Sequence, residues 1–300
     1  MSDPLVSVII PVYNAERYVA ATLKSVLAQT FREFEIICVN DGSTDSSAVV
    51  LKQFGDQIRV LEQPNSGQTV AQNHAVDHSS GRYIAFLDAD DVWYPTKLED
   101  QVREMESHHD IVMVSSNYDE IDGAGKMRLV DAGLSLYRDI DPKNPLNRLL
   151  GEDFAIALPS FMMVRKTALA QIGGLDPLLT VYDSDTDLCV RLRDVGQSRY
   201  VERSGGARRV HASSNSYSEQ FARKRHQCCV HLLEKLHARY RGDLKKERIA
   251  RTILANRLSD WGWYEVRIGN QADGLNLLKR ALTLDPLKFR TVSRIFRAFI

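Results

Sequence analysis

The sequence predicts an α/β fold, a mainly parallel sheet flanked by helices, with an α-helical extension at the C-terminus. Two observations carry this. Through residues 1–120, short β-rich runs alternate with amphipathic helical patterns, the signature of βαβ units. Beyond Tyr217 the chain reads as helix almost throughout, so its class changes near residue 215. One domain is expected over residues 1–215 and a helical extension over 216–300. At 300 residues and 33.9 kDa the chain has room for one large domain or two ordinary ones.

The expected strands are Val6–Ile10, Phe34–Asn40, Ile58–Glu62, Tyr83–Leu87 and Ile111–Ser115. Asn14 is placed to cap a helix from Ala15 to about Gln29, where Tyr18, Val19, Thr22, Leu23, Val26 and Leu27 form an apolar stripe. Ser43 or Thr44 starts the next helix. Pro95 stands where a helix through Met105 begins, a position that tolerates a missing N–H. From Gly123 to Pro159 the pattern is broken by Gly, Pro and Asp, and reads as irregular with one short helix near Pro145–Leu150. Four helices follow, Glu219–Tyr240, Leu244–Ile268, Ala272–Leu284 and Leu287–Phe299. In the third, the spacing Ala272, Leu275, Leu278, Ala281, Leu282, Leu284, Pro286 resembles the second helix of a tetratricopeptide unit. Stacked repeats need about three copies, so an ordinary helical appendage is the competing reading.

Hydrophobic residues at 44%, charged residues at 26%, 17 Gly and 9 Pro argue against a disordered, collagen-like or disulfide-stapled chain. No apolar run reaches the roughly 18 residues that span a bilayer. The N-terminal MSDPLVSVIIPVYN lacks a basic leader and a small-residue cleavage site, and reads as a first strand. Cys38, Cys189, Cys228 and Cys229 show no CxxC spacing and fit a reducing cytosol, so a cytoplasmic location is expected. The net charge of zero conceals an asymmetry: residues 1–200 hold 18 Lys and Arg against 30 Asp and Glu, and residues 201–300 hold 21 against 9. An acidic part suits metal-binding or catalytic carboxylates, and a basic part suits an anionic partner or the acidic half of the same chain.

Three acidic constellations are candidates for chemistry. In FEIICVNDGSTD a buried strand ends at an Asn40-Asp41-Gly42 turn, and the carboxyl ends of strands are where open α/β sheets bind ligands. A turn acid followed by a helix cap is the plain alternative. Tyr13, after the first strand, is placed either to offer a flat face to a base or to pack at the strand end. In FLDADD another apolar strand ends in packed carboxylates, whose mutual repulsion makes sense chiefly around a hard cation such as Mg²⁺ or Mn²⁺. In DSDTDLCVRL the acids alternate as in a calcium loop, but Leu188 stands where that loop needs Gly. Leu188, Leu192 and Val195 recur at helical spacing, so Asp185 reads better as a carboxylate in a helix first turn. His74 and His78 lie four apart without a third ligand nearby. There is no GxGxxG after a strand, no P-loop and no nucleophile elbow, and the basic C-terminal helices carry no nucleic-acid motif, so no nucleic-acid partner is expected.

Taken in order, VSVIIPVYNAERYVAATLKSVLAQTF, FEIICVNDGSTDSS, NSGQTVAQNHAV, GRYIAFLDADDVWYP and YDSDTDLCVRL resemble the family-2 glycosyltransferases of the GT-A fold, over about residues 5–215. The resemblance implies transfer of a sugar from a nucleotide diphosphate, commonly UDP, to an acceptor hydroxyl with inversion. It implies nucleotide contacts from Pro11, Tyr13, Asp41, Asn65, Gln72 and Asp88. Among these, Tyr13 matches the aromatic beside the uracil, Asp41 the carboxylate that accepts from the base edge, and Asp88 the acid nearer the ribose. Asp90 matches the direct ligand of Mn²⁺ or Mg²⁺, Asp185 the general base, and His211 a late histidine that in some members reaches the metal or diphosphate. Many members have Glu-Asp where this chain has Ser184-Asp185, and Ala-Arg-Asn where it has Ala71-Gln72-Asn73. Loss of that Arg bears on donor identity.

The resemblance places such an enzyme in assembly of a cell-envelope or exported polysaccharide, with a glycan or lipid-linked acceptor. A rival is a non-catalytic nucleotide-sugar-binding or scaffold protein, against which the joint presence of Asp41, Asp88, Asp90 and Asp185 counts. A sugar nucleotidyltransferase would need a Gly-rich phosphate loop near the N-terminus that is absent here. A separate expectation is peripheral contact with the inner face of the cytoplasmic membrane. It rests on Lys279, Arg280, Lys288, Arg290, Arg294 and Arg297 interleaved with Leu287, Phe289, Ile295, Phe296 and Phe299. An amphipathic helix packed on its own domain is the alternative.

Overall fold

The computed structural model describes residues 4–134, 149–150, 157–180, 182–211, 221–286 and 289–297. These fall into two compact units. The first takes in the described residues up to 134, 157–180 and 184–211. The second takes in 149–150, 182–183 and everything described from 221 onward. The expected helix near Pro145–Leu150 and the change of class near residue 215 lie largely outside the described residues.

The first unit bears out the α/β expectation. Among the described residues its sheet has nine strands: β1 (Val6–Val12), β2 (Phe34–Asp41), β3 (Arg59–Gln63), β4 (Tyr83–Phe86), β5 (Val92–Trp93), β6 (Ile111–Asp122), β7 (Met127–Leu129), β8 (Met162–Arg165) and β9 (Gln197–Val210). Their spatial order is β3-β2-β1-β4-β8-β6-β9-β5, with β7 on β6. The β3-β2-β1-β4 half is wholly parallel. Its central strand β1 is buried along its entire length, as a strand covered on both faces must be. In the other half β8 runs antiparallel to both β4 and β6, while β9 runs parallel to β6. The helices are α1 (Val19–Leu27), α2 (Ser47–Lys52), α3 (Gln68–Asp77), α4 (Lys97–Ser107), α5 (Lys166–Gln171) and α6 (Ser184–Leu192).

Two local expectations are corrected. Asn14 does not cap α1, which begins at Val19; with φ of 48° it turns the chain, and its Oδ1 accepts from Thr44 N at 2.8 Å. Nearby, Ser43 Oγ accepts from Asn14 N and Ser47 Oγ, at the start of α2, from Ala15 N, so Asn14 and Ser43, expected to serve as helix caps, instead tie the turns after β1 and β2 together. The stretch from Gly123 is not wholly irregular, since β7 forms a short edge strand within it.

The second unit is helical, with α7 (Ala222–Arg239), α8 (Leu244–Arg267), α9 (Gln271–Leu284) and α10 (Phe289–Arg297). Gly262 and Gly274 let α8 and α9 touch backbone to backbone: a Cβ on Gly274 would lie 2.6 Å from Gly262 O. Glu265 is fully buried and gathers donors from Arg223, Trp261 and Asn270 at 2.7–2.8 Å. Burial alone would raise its pKa, but those three donors prevail and hold its carboxyl below the ordinary glutamate value. A lowered pKa contributes stability that is present above the ordinary glutamate value and lost as pH falls through the lowered one. Glu265→Ala is expected to destabilise this unit by about 2–4 kcal/mol, because the indole and amide donors lose their acceptor. Urea denaturation followed by circular dichroism checks this, and an unchanged midpoint would contradict it. Arg294, one of the cations expected to face lipid, is bonded to Asp260 and Ser259 at 2.7 and 2.9 Å, and Thr291 is buried against Ser259. That face of α10 therefore packs on its own unit. Among the described residues no helix is long and apolar enough to cross a membrane.

Candidate active site

Parallel pairing brings the C-terminal ends of β1, β2 and β4 to one edge of the sheet, with Val12 beside Asn40 and Ile9 beside Phe86. Pro11 fits in this central strand because β4 pairs only as far as Ile9, whose carbonyl accepts from Leu87 N. Two residues on, a missing N–H on that side costs no ladder bond. Antiparallel β8 delivers to this edge the residues that precede it, so Ser160 meets Asp88 and its Oγ accepts from Asp88 N at 3.1 Å. The antiparallel pairing of β5 with β9, Val92 opposite Ala207, likewise turns Asp90 and Asp91 toward the end of β9. Gly206 permits that pairing, since a Cβ there would lie 2.2 Å from Val92 O.

Three carboxylates result. One oxygen each from Asp88, Asp90 and Asp91 falls within a 4.8 Å group. Burial, then the charges of Asp90 and Asp185, push the Asp88 carboxyl up to about 7, against opposition from Arg208 and a 2.6 Å hydrogen bond from Gln68. Asp91 is raised well above the ordinary value, by burial first and by Asp90 and Asp88 next. It is the structural member: its Oδ1 accepts from Arg209 N at 2.7 Å, and Thr22 Oγ1 donates to its carbonyl. Arg209 also donates Nε to Asp90 O, which fixes the turn from behind.

His211, just beyond β9, places Nε2 2.9 Å from Asp90 Oδ2, and its ring packs on Tyr18 with centroids 4.7 Å apart. Two ligands at right angles, each about 2.1 Å from one ion, stand about 3 Å apart, so this pair fits a shared cation as well as a hydrogen bond. Repelling carboxylates plus one imidazole form a donor set suited to Mn²⁺, and to Mg²⁺ through the oxygens alone. Asp185 stands in the first turn of α6 as expected, half-buried, with Oδ1 accepting from Thr186 N at 2.7 Å, and its charge is felt at Asp88. Asp187, two residues on, is buried in a 2.6 Å ion pair with Arg191, whose guanidinium also holds Ile172 O and Gly174 O.

Comparison with known proteins decides what this edge belongs to. The model of glycosyl transferase family 2 matches residues 7–173. An uncharacterized glycosyltransferase of Nostoc sp., alr2836, is 32% identical over 71% of this chain and 67% of its own length. The chain belongs to glycosyl transferase family 2. The putative teichuronic acid biosynthesis glycosyltransferase TuaG of Bacillus subtilis is 46% identical over 34% of this chain and 42% of its own. The chain spans less than half the length of TuaG and of six further curated glycosyltransferases that it matches. Among solved structures, S. aureus TarS 1–349 in complex with UDP-GlcNAc superposes with a TM-score of 0.66 at 18% identity, covering 98% of this chain and 89% of that one. The fold is thus GT-A.

In this family-2 glycosyltransferase the remaining expected site residues lie on β1 and the turn after it, at the end of β2, on the loop after β3 and on α3. Tyr13 is 46% exposed while Pro11 is buried. Asp41, at the end of β2, is 3% exposed and organises the loop that follows β3: Oδ1 accepts from Gln63 Nε2 and Ser66 N, and Oδ2 from Gly67 N. Asn65 is exposed on that loop, and its backbone crosses Gly42 so closely that a Cβ there would lie 2.7 Å from Asn65 N. Gln72 is buried on α3, and its Nε2 has no hydrogen-bond partner among the described residues. Sequence reading gave no role to Gln68, Asp91, Ser160 or Arg209. Only Asp91 carried a signal, as the third acid of its run; the others reach the site through partners 20 to 119 residues away.

Proposed function

We propose that the chain is an inverting glycosyltransferase that moves a sugar from a nucleotide diphosphate, UDP in the first instance, to an acceptor hydroxyl. The observation that carries this is the Asp90–His211 pair beside Asp88 and Asp91, with the Asp185 charge acting on Asp88, all at the ligand-binding edge of a GT-A sheet. Likeness to TuaG supports a cell-envelope glycan as the product, and likeness to TarS with UDP-GlcNAc supports a UDP-sugar donor. Tyr13 offers its ring face to the base, Asp41 accepts a base N–H, and Pro11, Asn65 and Gln72 shape the same end of the pocket. Asp88 lies nearer the ribose.

Asp90 and His211 would hold the ion, which when bound supplies neutralising charge for the departing diphosphate. Asp185 takes the proton of the acceptor hydroxyl as its oxygen bonds to the anomeric carbon. The bond from that carbon to the diphosphate oxygen breaks, and its electron pair leaves with the nucleoside diphosphate. One displacement inverts the centre.

Incubation of UDP-GlcNAc and other UDP-sugars with Mn²⁺ and a panel of glycan acceptors tests this through UDP release and the anomeric configuration of the product. Release with inversion is expected. Product with retained configuration would contradict the single displacement, and absence of release from every donor would favour a binding or scaffold role. His211→Ala is expected to raise the Mn²⁺ concentration required by at least about tenfold, an effect of ligand-shell size. An unchanged requirement would remove His211 from the ion site.

A further inference from the structure

The Asp41 carboxylate is held by a hydrogen-bond chain that runs to a histidine on the next helix. Asp41 Oδ1 receives Gln63 Nε2 at 2.7 Å, and Gln63 Oε1 lies 2.8 Å from His74 Nδ1. A carboxylate only accepts, so the Gln63 amide must turn its nitrogen toward Asp41. Its oxygen then faces His74, and the Nδ1 of His74 must carry a proton. The polarity of the whole chain is therefore set by Asp41, whichever way the amide is first drawn. The His78 ring, whose Nδ1 lies 2.9 Å from the backbone carbonyl of His74, meets the His74 imidazole edge to face with centroids 4.8 Å apart.

A carboxylate has about four acceptor positions, two on each oxygen. Gln63 and Ser66 occupy both on Oδ1, and Gly67 occupies one on Oδ2. One position on Oδ2 remains. Backbone donors alone would leave Oδ1 half-engaged and able to exchange with Oδ2 by rotation of the carboxylate; the Gln63 amide, locked by His74, removes that freedom.

We infer that His74, acting through Gln63, is a positioning residue for base recognition, a role that rests on the proposed base contact of Asp41. It presents a single fixed acceptor to one base N–H. The hydrogen bonds of Gln63 and His74 lead to Asp41, so the effect expected of them is on the base.

Calorimetry of the full chain with Mn²⁺, using UDP and inorganic pyrophosphate as probes, tests this. Wild type is expected to bind UDP more tightly than pyrophosphate, and Asp41→Ala to narrow the difference by weakening UDP alone. If it does not, the base contact of Asp41 is wrong and the role of His74 falls with it. His74→Phe is expected to weaken UDP about tenfold and leave pyrophosphate unchanged, with no further loss when added to Asp41→Ala. His74→Asn, whose amide nitrogen can stand where Nδ1 stands, is expected to retain wild-type affinity. Wild-type UDP binding in His74→Phe, alongside a loss in Asp41→Ala, would overturn the positioning role while sparing the base contact. Equal weakening of both probes would show a merely structural histidine and overturn it too.

Discussion

Asp90→Ala is expected to abolish metal-dependent binding of the nucleoside diphosphate and to slow sugar transfer by about three orders of magnitude, the scale of losing a preorganised charge partner in a dry site. The substitution isolates function from folding. The Asp90 carboxylate is partly exposed and meets His211, whereas the backbone of the same residue carries the structural bond, its carbonyl receiving Arg209 Nε at 2.8 Å. Truncation of the side chain therefore leaves the turn pinned. Asp91→Ala makes the contrast: it removes the acceptor of Arg209 N from a buried position, and its expected effect is loss of stability. Melting curves for both variants, set beside their activities, separate the two roles. Transfer by Asp90→Ala at near wild-type rate in Mn²⁺ would contradict the assignment.

Asp185→Asn is expected to lower transfer by 10²- to 10⁴-fold, roughly the contribution of a positioned general base. Diphosphate affinity should change little. The asparagine keeps the Oδ1 that accepts from Thr186 N, so the first turn of α6 retains its hydrogen bond. What is lost is a group able to take the acceptor proton, together with a negative charge that bears on Asp88. The effect should therefore appear in kcat, with little change in the KM for the donor. Loss expressed only in donor KM would make Asp185 a donor-binding residue and leave the base unassigned.

The parallel half of the fold was legible because its strands are buried on both faces and written in apolar residues. β1 and β2 were read to within two residues of their ends, and the acids at the end of β2 and just after β4 emerged where strand ends place them. β9 was not legible. It is the longest strand, yet its sequence QSRYVERSGGARRV carries three arginines and two glycines before its last two residues, and its first half is largely exposed. Its strand character comes from pairing with β6 and β5, not from local preference. His211 was nonetheless named as a candidate, through the resemblance alone; the geometry that joins it to Asp90 depends on that unread strand. Asn14 shows the opposite error, a good helix cap by type, used by the fold to tie two loops together. Ser160 and Arg209 could not have been found locally, since a serine before a short strand and an arginine in a basic run carry no mark of the acids they will meet. The Gln63–His74 link was equally hidden, although both residues lie inside or beside a recognised motif.

Calorimetric titration of the wild-type chain with UDP, GDP, dTDP and CDP, each with Mn²⁺ and with chelator, tests the central claim most directly. One diphosphate, UDP, is expected to bind in the presence of the ion and to lose that affinity in chelator. Binding of none of the four with Mn²⁺ present, by a protein whose melting curve shows it folded, would contradict a nucleotide-sugar site at the Asp88–Asp90 edge.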